Sequence, residues 1–454
     1  MSAWNIPTTW SRTLRPDSRV SRPSRASAFQ TTSGFCPCLL PPARGVPWDR
    51  CPVHNRGVPA RRVVPIHLTK AATLSLNKAC AIAGVAESRL GAVPDATVLT
   101  LQAEALAGAL ADAGLEKADI DGLFVSGAWG RLPGLQIAEY LGIQPSYSDT
   151  TMVGGSSFEF HLGHAAAAIQ ASLCSVAAIV YGSTQRSRKD RYIFQIRSDL
   201  GYQYEAPYGL PTPVGAYALA ASRHFAEYGT TSEQLADLAV STREWARRNP
   251  KAYRREPMTR DEVLDSGWIA TPLHRYDCCL FTDGGGAAII VSPEIAKTLD
   301  KPPVWLLGQG ESVSHAQISE MPDLTVTPAA VSGKRAFDMA GVTHDQLDVV
   351  EIYDSFTITV LLTLESLGFC KPGEGGAFLA NGRTGPGGEF PLNTNGGGLS
   401  YCHPGQYGIF LIIEAVRQLR GECDERQVAD AVLALVSGTG GVLSSNSTCI
   451  LGLE

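Results

Sequence analysis

The chain lacks any apolar run near the roughly 20 residues that a bilayer-spanning helix requires. Runs such as Ala165–Ile169 and Val176–Val180 are short and suit a buried core. A basic excess is also missing: 38 Lys and Arg face 44 Asp and Glu, for a net charge of −6. That balance excludes a general nucleic-acid binder, because neutralising phosphates takes a positive surface. Charged residues are only 18% of the chain while hydrophobic ones reach 44%, the composition of a globular protein. The 11 cysteines show no disulfide-like rhythm, which points to a reducing, cytoplasmic setting. Cys36-Pro-Cys38 with Cys51-Pro-Val-His54 is a local cluster, but its Cys-x-Cys pair is tighter than usual zinc spacings and no fold surrounds it, so no metal is expected. At 454 residues the chain is too long for one simple core and implies several domains or one duplicated domain.

Residues 1–74 differ from everything after them. They are rich in Ser, Arg and Pro, nearly free of acids, and without sustained periodicity, so a disordered basic extension outside the function is expected. From Lys78 the pattern becomes regular. Cys80–Val85, Gly122–Ser126, Thr150–Val153 and Val176–Tyr181 read as strands; Thr97–Ala113 (ending at Gly114), Pro133–Leu141 and a long run to Ala171 read as helices. Such alternation predicts an α/β fold with a mainly parallel sheet. Residues 185–276 break the rhythm with a basic and aromatic loop, then helices at Val214–Tyr228 and Ser232–Arg248. After Asp283–Val291 a second alternating series begins at Pro303 and runs to the end.

The most distinctive stretch is Asn393-Thr-Asn-Gly-Gly-Gly-Leu-Ser-Tyr-Cys-His-Pro-Gly405. Its glycines permit close backbone approach, and its His403 stands just before an amphipathic run with Ile409, Ile412, Ile413, Val416 and Leu419 on one face. An imidazole on a polar loop ahead of a helix suits acid–base or oxyanion chemistry; the same pattern is also that of a Gly-rich turn with a capping His.

Gly396–Gly405 with Glu414–Gly421, Val350–Phe356 and Leu367–Gly375 resemble the thiolase superfamily, and within it the sterol-carrier-protein type. The similarity runs from about residue 76 to the end. The resemblance implies a five-layer αβαβα fold from two similar halves, 75–302 (with the loop insertion 185–276) and 303–454. It implies a homodimer, and a CoA thioester as substrate. Such enzymes use a cysteine nucleophile at a helix N-terminus, and here that position falls at Ser156; a serine there also reads as a helix cap. The family's His-Asp-Cys-Phe run is Tyr353-Asp354-Ser355-Phe356 in this chain, so Tyr353 and Ser355 replace a His and a Cys. His403 keeps the oxyanion-hole position.

With both usual cysteines absent, the resemblance implies thiolase-like retro-aldolases, which cleave β-hydroxyacyl-CoA without a covalent intermediate in steroid side-chain or aromatic-acid degradation. In these, tyrosines matching Tyr353 and Tyr401 serve as acid and base, and a small zinc-ribbon/OB-fold partner completes the enzyme. The alternatives are an acetyl-CoA acyltransferase type using Ser156 or Cys402, and a non-catalytic subunit that binds acyl-CoA or lipid for transfer. Adjacent side chains on an extended segment point oppositely, which argues against a Cys402–His403 dyad. Gly438 and Gly440 correspond to the family's last Gly-rich turn, and Arg186, Arg188, Arg247 and Arg248 are the candidates for CoA phosphates.

Overall fold

Thr97 and Gly114 bracket the first helix for reasons visible in their own chemistry. The Thr97 hydroxyl accepts from the Thr100 N–H at 3.1 Å while Thr100 Oγ1 accepts from the Thr97 N–H at 2.8 Å, and Gly114 closes the helix in the left-handed region. The computed structural model describes residues 75–127, 132–188, 203–210 and 213–453, all within one compact unit, Ala71–Glu454. The extension 1–74, with Cys36, Cys38, Cys51 and His54, lies outside the described residues, as do Lys189, Arg191, Tyr192 and Tyr202.

In chain order the elements are β1 (Ala81–Glu87), α1 (Val98–Ala113), β2 (Gly122–Val125), α2 (Pro133–Leu141), β3 (Tyr147–Asp149), α3 (Ser157–Gln170) and β4 (Val176–Ser183). The insertion supplies α4 (Val214–Tyr228), α5 (Ser232–Arg247) and the small hairpin β5 (Trp268–Ala270) and β6 (Leu273–His274). Then come β7 (Gly284–Val291), β8 (Val304–Val313), α6 (Ala329–Ala340), β9 (Val349–Ile352), α7 (Thr357–Leu367), α8 (Gly408–Leu419), β10 (Leu433–Gly440) and β11 (Ser445–Gly452).

Among the described residues one nine-stranded sheet runs in the order β3-β2-β4-β7-β1-β8-β11-β10-β9. The expected mainly parallel sheet is instead mixed. β2 pairs in parallel with β3 and β4, and β9 with β10, but β4–β7, β7–β1, β1–β8, β8–β11 and β11–β10 are antiparallel. The insertion causes part of this, since the chain leaves at β4 and returns beside it as β7. The β1–β8 seam is short, joining Ala81 to Trp305 and Ile82 to Val304, and the 302/303 boundary falls just before it. Thr150–Val153 is not a strand. Asp149 ends β3 by accepting from both the Thr151 N–H and its hydroxyl at 2.8 Å, a side-chain turn that competes with the ladder.

Helices lie on both sides of these strands. α1 covers β1, β7 and β4, while α6 covers β8 and β11; α3 and α8 pack against strands of both series. The two outer helices touch their strands through glycine. A Cβ at Gly84 would overlap the Ala109 carbonyl of α1, and one at Gly308 would overlap the Ala336 carbonyl of α6. Between the strands, Ile409, Ile412, Ile413, Val416 and Leu419 of α8 are buried in one apolar cluster with Phe158 and Leu162 of α3. The helix face expected from spacing is thus the one that faces the core, and it brings the turn before α8 against the entry to α3.

Candidate active site

The entry to α3 is Gly154-Gly155-Ser156, and it meets the segment after β9 directly. A Cβ on Gly155 would overlap the Tyr353 ring and approach the Thr439 carbonyl at 2.7 Å. Glycine at 155 is therefore the condition for Tyr353 to stand where it does. Ser156 faces the other way: its hydroxyl is 2.8 Å from Ser445 Oγ, which in turn donates to the Val153 carbonyl at 2.7 Å. Ser156 is fully buried and does not line the cavity, so the hydroxyl proposed as a nucleophile is a tie between α3 and β11.

Tyr353 continues β9, its N–H donating to the Ser437 carbonyl at 3.0 Å. Its phenol oxygen lies 2.8 Å from His403 Nε2. Two backbone anchors hold that imidazole in place. His403 N–H donates to Thr282 Oγ1 at 2.9 Å, and the Thr282 N–H donates to the His403 carbonyl at 3.2 Å. Beside them Asp354 accepts from the Gly398 and Leu399 N–H groups at 2.6 and 3.1 Å, which fixes the Gly397–Tyr401 turn. Gly397 is in the left-handed region and a Cβ there would overlap the Asp354 carboxylate, so this turn also requires glycine. On the other flank Tyr181 donates to the Pro404 carbonyl at 2.6 Å and accepts from the Gln406 N–H at 3.1 Å.

Burial sets the protonation of the pair. It pushes the Tyr353 phenol well above its ordinary value and the His403 imidazole down to about 4. Both are neutral near pH 7, so the phenol donates to Nε2 and the imidazole carries its own proton on Nδ1, a buried atom without a partner among the described residues. The neighbouring Asp354 is raised by burial to about 7, its backbone donors opposing the shift.

Tyr353, Ser355 and His403 line one cavity of about 460 Å³ together with Gly154, Gly155 and Gly440. The wall is mostly apolar, and Met152, Ile269 and Phe281 are exposed. A second phenol does enter, but it belongs to Tyr217 of α4, which donates to the Gly441 carbonyl at 3.1 Å and packs its ring 4.4 Å from that of Phe356. Tyr401 does not line the cavity. It ends the helical turn 397–401, so the two-residue alternation of an extended chain does not reach back from His403. Its ring packs edge-on against Phe410 at 6.1 Å, and its phenol lies toward Glu87 and Arg417. Cys402 is fully buried outside the cavity, its thiol pushed up by burial.

Gly438 packs over the Glu159 carboxyl instead of lining the cavity, where Gly440 does. None of the four candidate arginines lines it. Arg186 comes nearest, donating to the Phe281 carbonyl at 3.1 Å and lying over the Tyr253 ring. Arg247 is paired with Glu244 at 2.8 Å, and Arg248 lies over Trp245. No cluster of three or more metal-ligating side chains occurs among the described residues.

Sequence reasoning overlooked Tyr217 and the segment Cys278–Thr282. Tyr217 sits among alanines at helical spacing and reads as core. Adjacent Cys278-Cys279 just before Asp283-Gly-Gly-Gly was the available signal for the second. That segment is laced to every motif of the site: Cys279 N–H to the Ser355 carbonyl at 3.1 Å, Leu280 N–H to the Gly398 carbonyl at 2.9 Å, and Thr282 to His403.

Comparison with known proteins identifies the family. Residues 310–453 match the thiolase C-terminal domain-like family. A steroid side-chain-cleaving aldolase of Thermomonospora curvata is 33% identical over 83% of this chain and 98% of its own length. An acetyl-CoA acetyltransferase of Methanothermobacter thermautotrophicus is 32% identical over 80% of this chain and 97% of its own. The chain belongs to the thiolase superfamily. Among solved structures, an Ltp2–ChsH2(DUF35) aldolase superposes with a TM-score of 0.77 at 33% identity, covering 83% of this chain and 98% of that one. At the α3 entry of this thiolase-superfamily member, Gly155 and the Tyr353 ring pack together at the cavity. No described helix is long and apolar enough to cross a membrane.

Proposed function

We propose that this protein is an acyl-CoA lyase that breaks a carbon–carbon bond of a β-hydroxyacyl-CoA by retro-aldol chemistry, in the degradation of a steroid side chain or an aromatic acid. The observation that carries the reading is the 2.8 Å contact between Tyr353 Oη and His403 Nε2 at the cavity wall. The reaction needs a base for the β-hydroxyl. As the substrate's hydroxyl proton moves to Tyr353 Oη, the phenol proton passes to His403 Nε2, so the pair accepts one proton without a free phenolate. The Cα–Cβ bond then breaks, giving a carbonyl compound and the enolate of the shorter acyl-CoA. The relative named a steroid side-chain-cleaving aldolase supports this class of reaction.

Acyl transfer, suggested by the relative named an acetyltransferase, needs a nucleophile in the cavity. Ser156 is turned to Ser445 and Cys402 is outside, which leaves that reading without either of its expected groups. We extend the proposal to a homodimer, and to a small zinc-ribbon/OB-fold partner of the kind that a complex such as Ltp2–ChsH2(DUF35) suggests. Arg186 is the retained candidate for a CoA phosphate because it borders Phe281.

The test is a cleavage assay on β-hydroxyacyl-CoA substrates, with and without such a partner, following the released carbonyl compound. Wild type should cleave and Tyr353→Phe should not. Full activity in Tyr353→Phe would remove the tyrosine–histidine mechanism, and binding of acyl-CoA without any turnover would favour a carrier subunit.

A further inference from the structure

Retro-aldol cleavage asks for two proton transfers at different atoms. One proton leaves the β-oxygen, and one must reach the α-carbon of the enolate left behind. A group bonded to the β-oxygen is badly placed to serve the α-carbon as well, so a second donor on another wall is needed. Ser355, beside Tyr353, is poorly disposed for this, since its hydroxyl is 2.9 Å from Thr359 Oγ1.

Two thiols line the cavity, and that of Cys278 is given to the His274 carbonyl at 3.4 Å. Cys279 lines the same cavity as Tyr353, Ser355, His403 and Gly155, and is half-buried. Its backbone is fixed by the bond to the Ser355 carbonyl, and its neighbours Leu280 and Thr282 are tied to Gly398 and His403. The side chain is therefore registered against both motifs by four backbone anchors and does not sit on a free loop. Tyr353 and Tyr217 line the cavity together with it.

We infer that Cys279 is the catalytic acid of this site, delivering its Sγ proton to the α-carbon of the thioester enolate. The inference rests on the retro-aldol reading above. The enolate's carbon–carbon π pair forms the new C–H bond, and the S–H pair stays on sulfur. The thiolate then recovers the proton that the Tyr353–His403 pair took from the β-hydroxyl. No electrons enter or leave, and the site returns to its starting state. Burial, then the neighbouring Cys278 and Asp354, push the thiol well above its ordinary value, which keeps it protonated while the cavity is empty. That state is wrong for a nucleophile and right for a donor to a thioester α-carbon, a far weaker acid than any thiol.

The step can be read alone, without the acceptor carbonyl compound, as exchange of the α-hydrogens of acetyl-CoA or propionyl-CoA in deuterated water, followed by mass spectrometry on the full chain. Wild type should exchange. Cys279→Ala and Cys279→Ser should lose at least tenfold of the exchange rate while binding the same acyl-CoA within about twofold and melting at the wild-type temperature. Exchange within twofold of wild type in both variants overturns the thiol's role and leaves the Tyr353–His403 reading standing. Loss of binding or folding in parallel with exchange in both variants also overturns it, because the residue would then be structural. Wild type that binds acyl-CoA but exchanges nothing overturns this inference, and if it also fails to cleave β-hydroxyacyl-CoA, the retro-aldol reading falls with it.

Discussion

The two walls of the cavity are built on different principles. One wall, from β9 and the turn before α8, is held by buried hydrogen bonds: Asp354 to Gly398 and Leu399, Thr282 to His403, Tyr353 to His403. The other, from the insertion, is largely apolar, and Ile269 and Phe281 remain more than half exposed. The first has its geometry over-determined, as groups that exchange protons need. The second leaves apolar surface uncovered, which suits recognition of a substrate or partner. Substitutions in the first wall should therefore change rate, and those at the apolar side chains of the second should change binding, Cys279 being the reactive group there.

The largest effect is expected at Tyr353. Tyr353→Phe removes the hydroxyl that meets His403 while keeping the ring against Gly155, so kcat should fall about 100-fold or more, roughly 2.7 kcal/mol, with KM little changed. An equal change in KM and none in kcat would place Tyr353 in the recognition wall instead. Gly155→Ala reaches the same phenol by another path. The added methyl overlaps the buried Tyr353 ring and displaces its phenol from His403, so activity should drop at least tenfold together with a lower melting temperature. A fully active Gly155→Ala enzyme would show that the ring's position does not matter.

What could be read beforehand divides along the same line. The first wall is made of short contiguous motifs, so Tyr353, Ser355 and His403 were legible from local sequence. Tyr401 misled because Gly396–Gly398 were read as a loose loop, whereas they wind a helical turn that rotates Tyr401 away from His403. Ser156 misled by one position, because a glycine cannot announce that it faces a ring some 200 residues distant. The second wall is assembled from α4, the β5–β6 hairpin and Cys278–Phe281. Apart from the adjacent Cys278-Cys279, none of these has a local pattern that differs from core or loop, and their convergence is a property of the tertiary structure.

Breaking the second wall should separate binding from rate. Phe281→Ala removes a half-exposed aromatic at the cavity, so KM for acyl-CoA should rise by roughly five- to tenfold, about 1–1.4 kcal/mol, with kcat within twofold. A fall in kcat alone would mean that this wall also shapes the transition state.

Glu159 of α3 lies beneath Gly438 and Gly408. Its carboxyl is fully buried, neither oxygen has a protein partner among the described residues, and burial raises it to about 8. A carboxyl whose folded-state value is raised binds its proton more tightly in the native state than in the unfolded one. Its contribution is fully present below about 4.5 and is lost as pH rises through about 8, at up to ~1.4 kcal/mol per pH unit. Glu159→Gln keeps the shape and removes the titration. The variant should show a smaller loss of melting temperature than wild type between pH 6 and 9, and parallel pH profiles would mean that the carboxyl is solvated.

The smallest effect is expected where the sequence offered the most charge. Arg247 was a candidate for CoA phosphate, but it is absent from the cavity and already engaged by Glu244 at 2.8 Å on an exposed stretch of α5. An exposed pair of this kind contributes about 0.3–0.5 kcal/mol at most. Arg247→Ala should leave KM for acyl-CoA within twofold, while Arg186→Ala, beside Phe281, should raise it and do so more at low ionic strength. If instead Arg247→Ala weakens binding tenfold and Arg186→Ala does not, the nucleotide end of CoA crosses α5. The apolar wall would then be left for the acyl group alone.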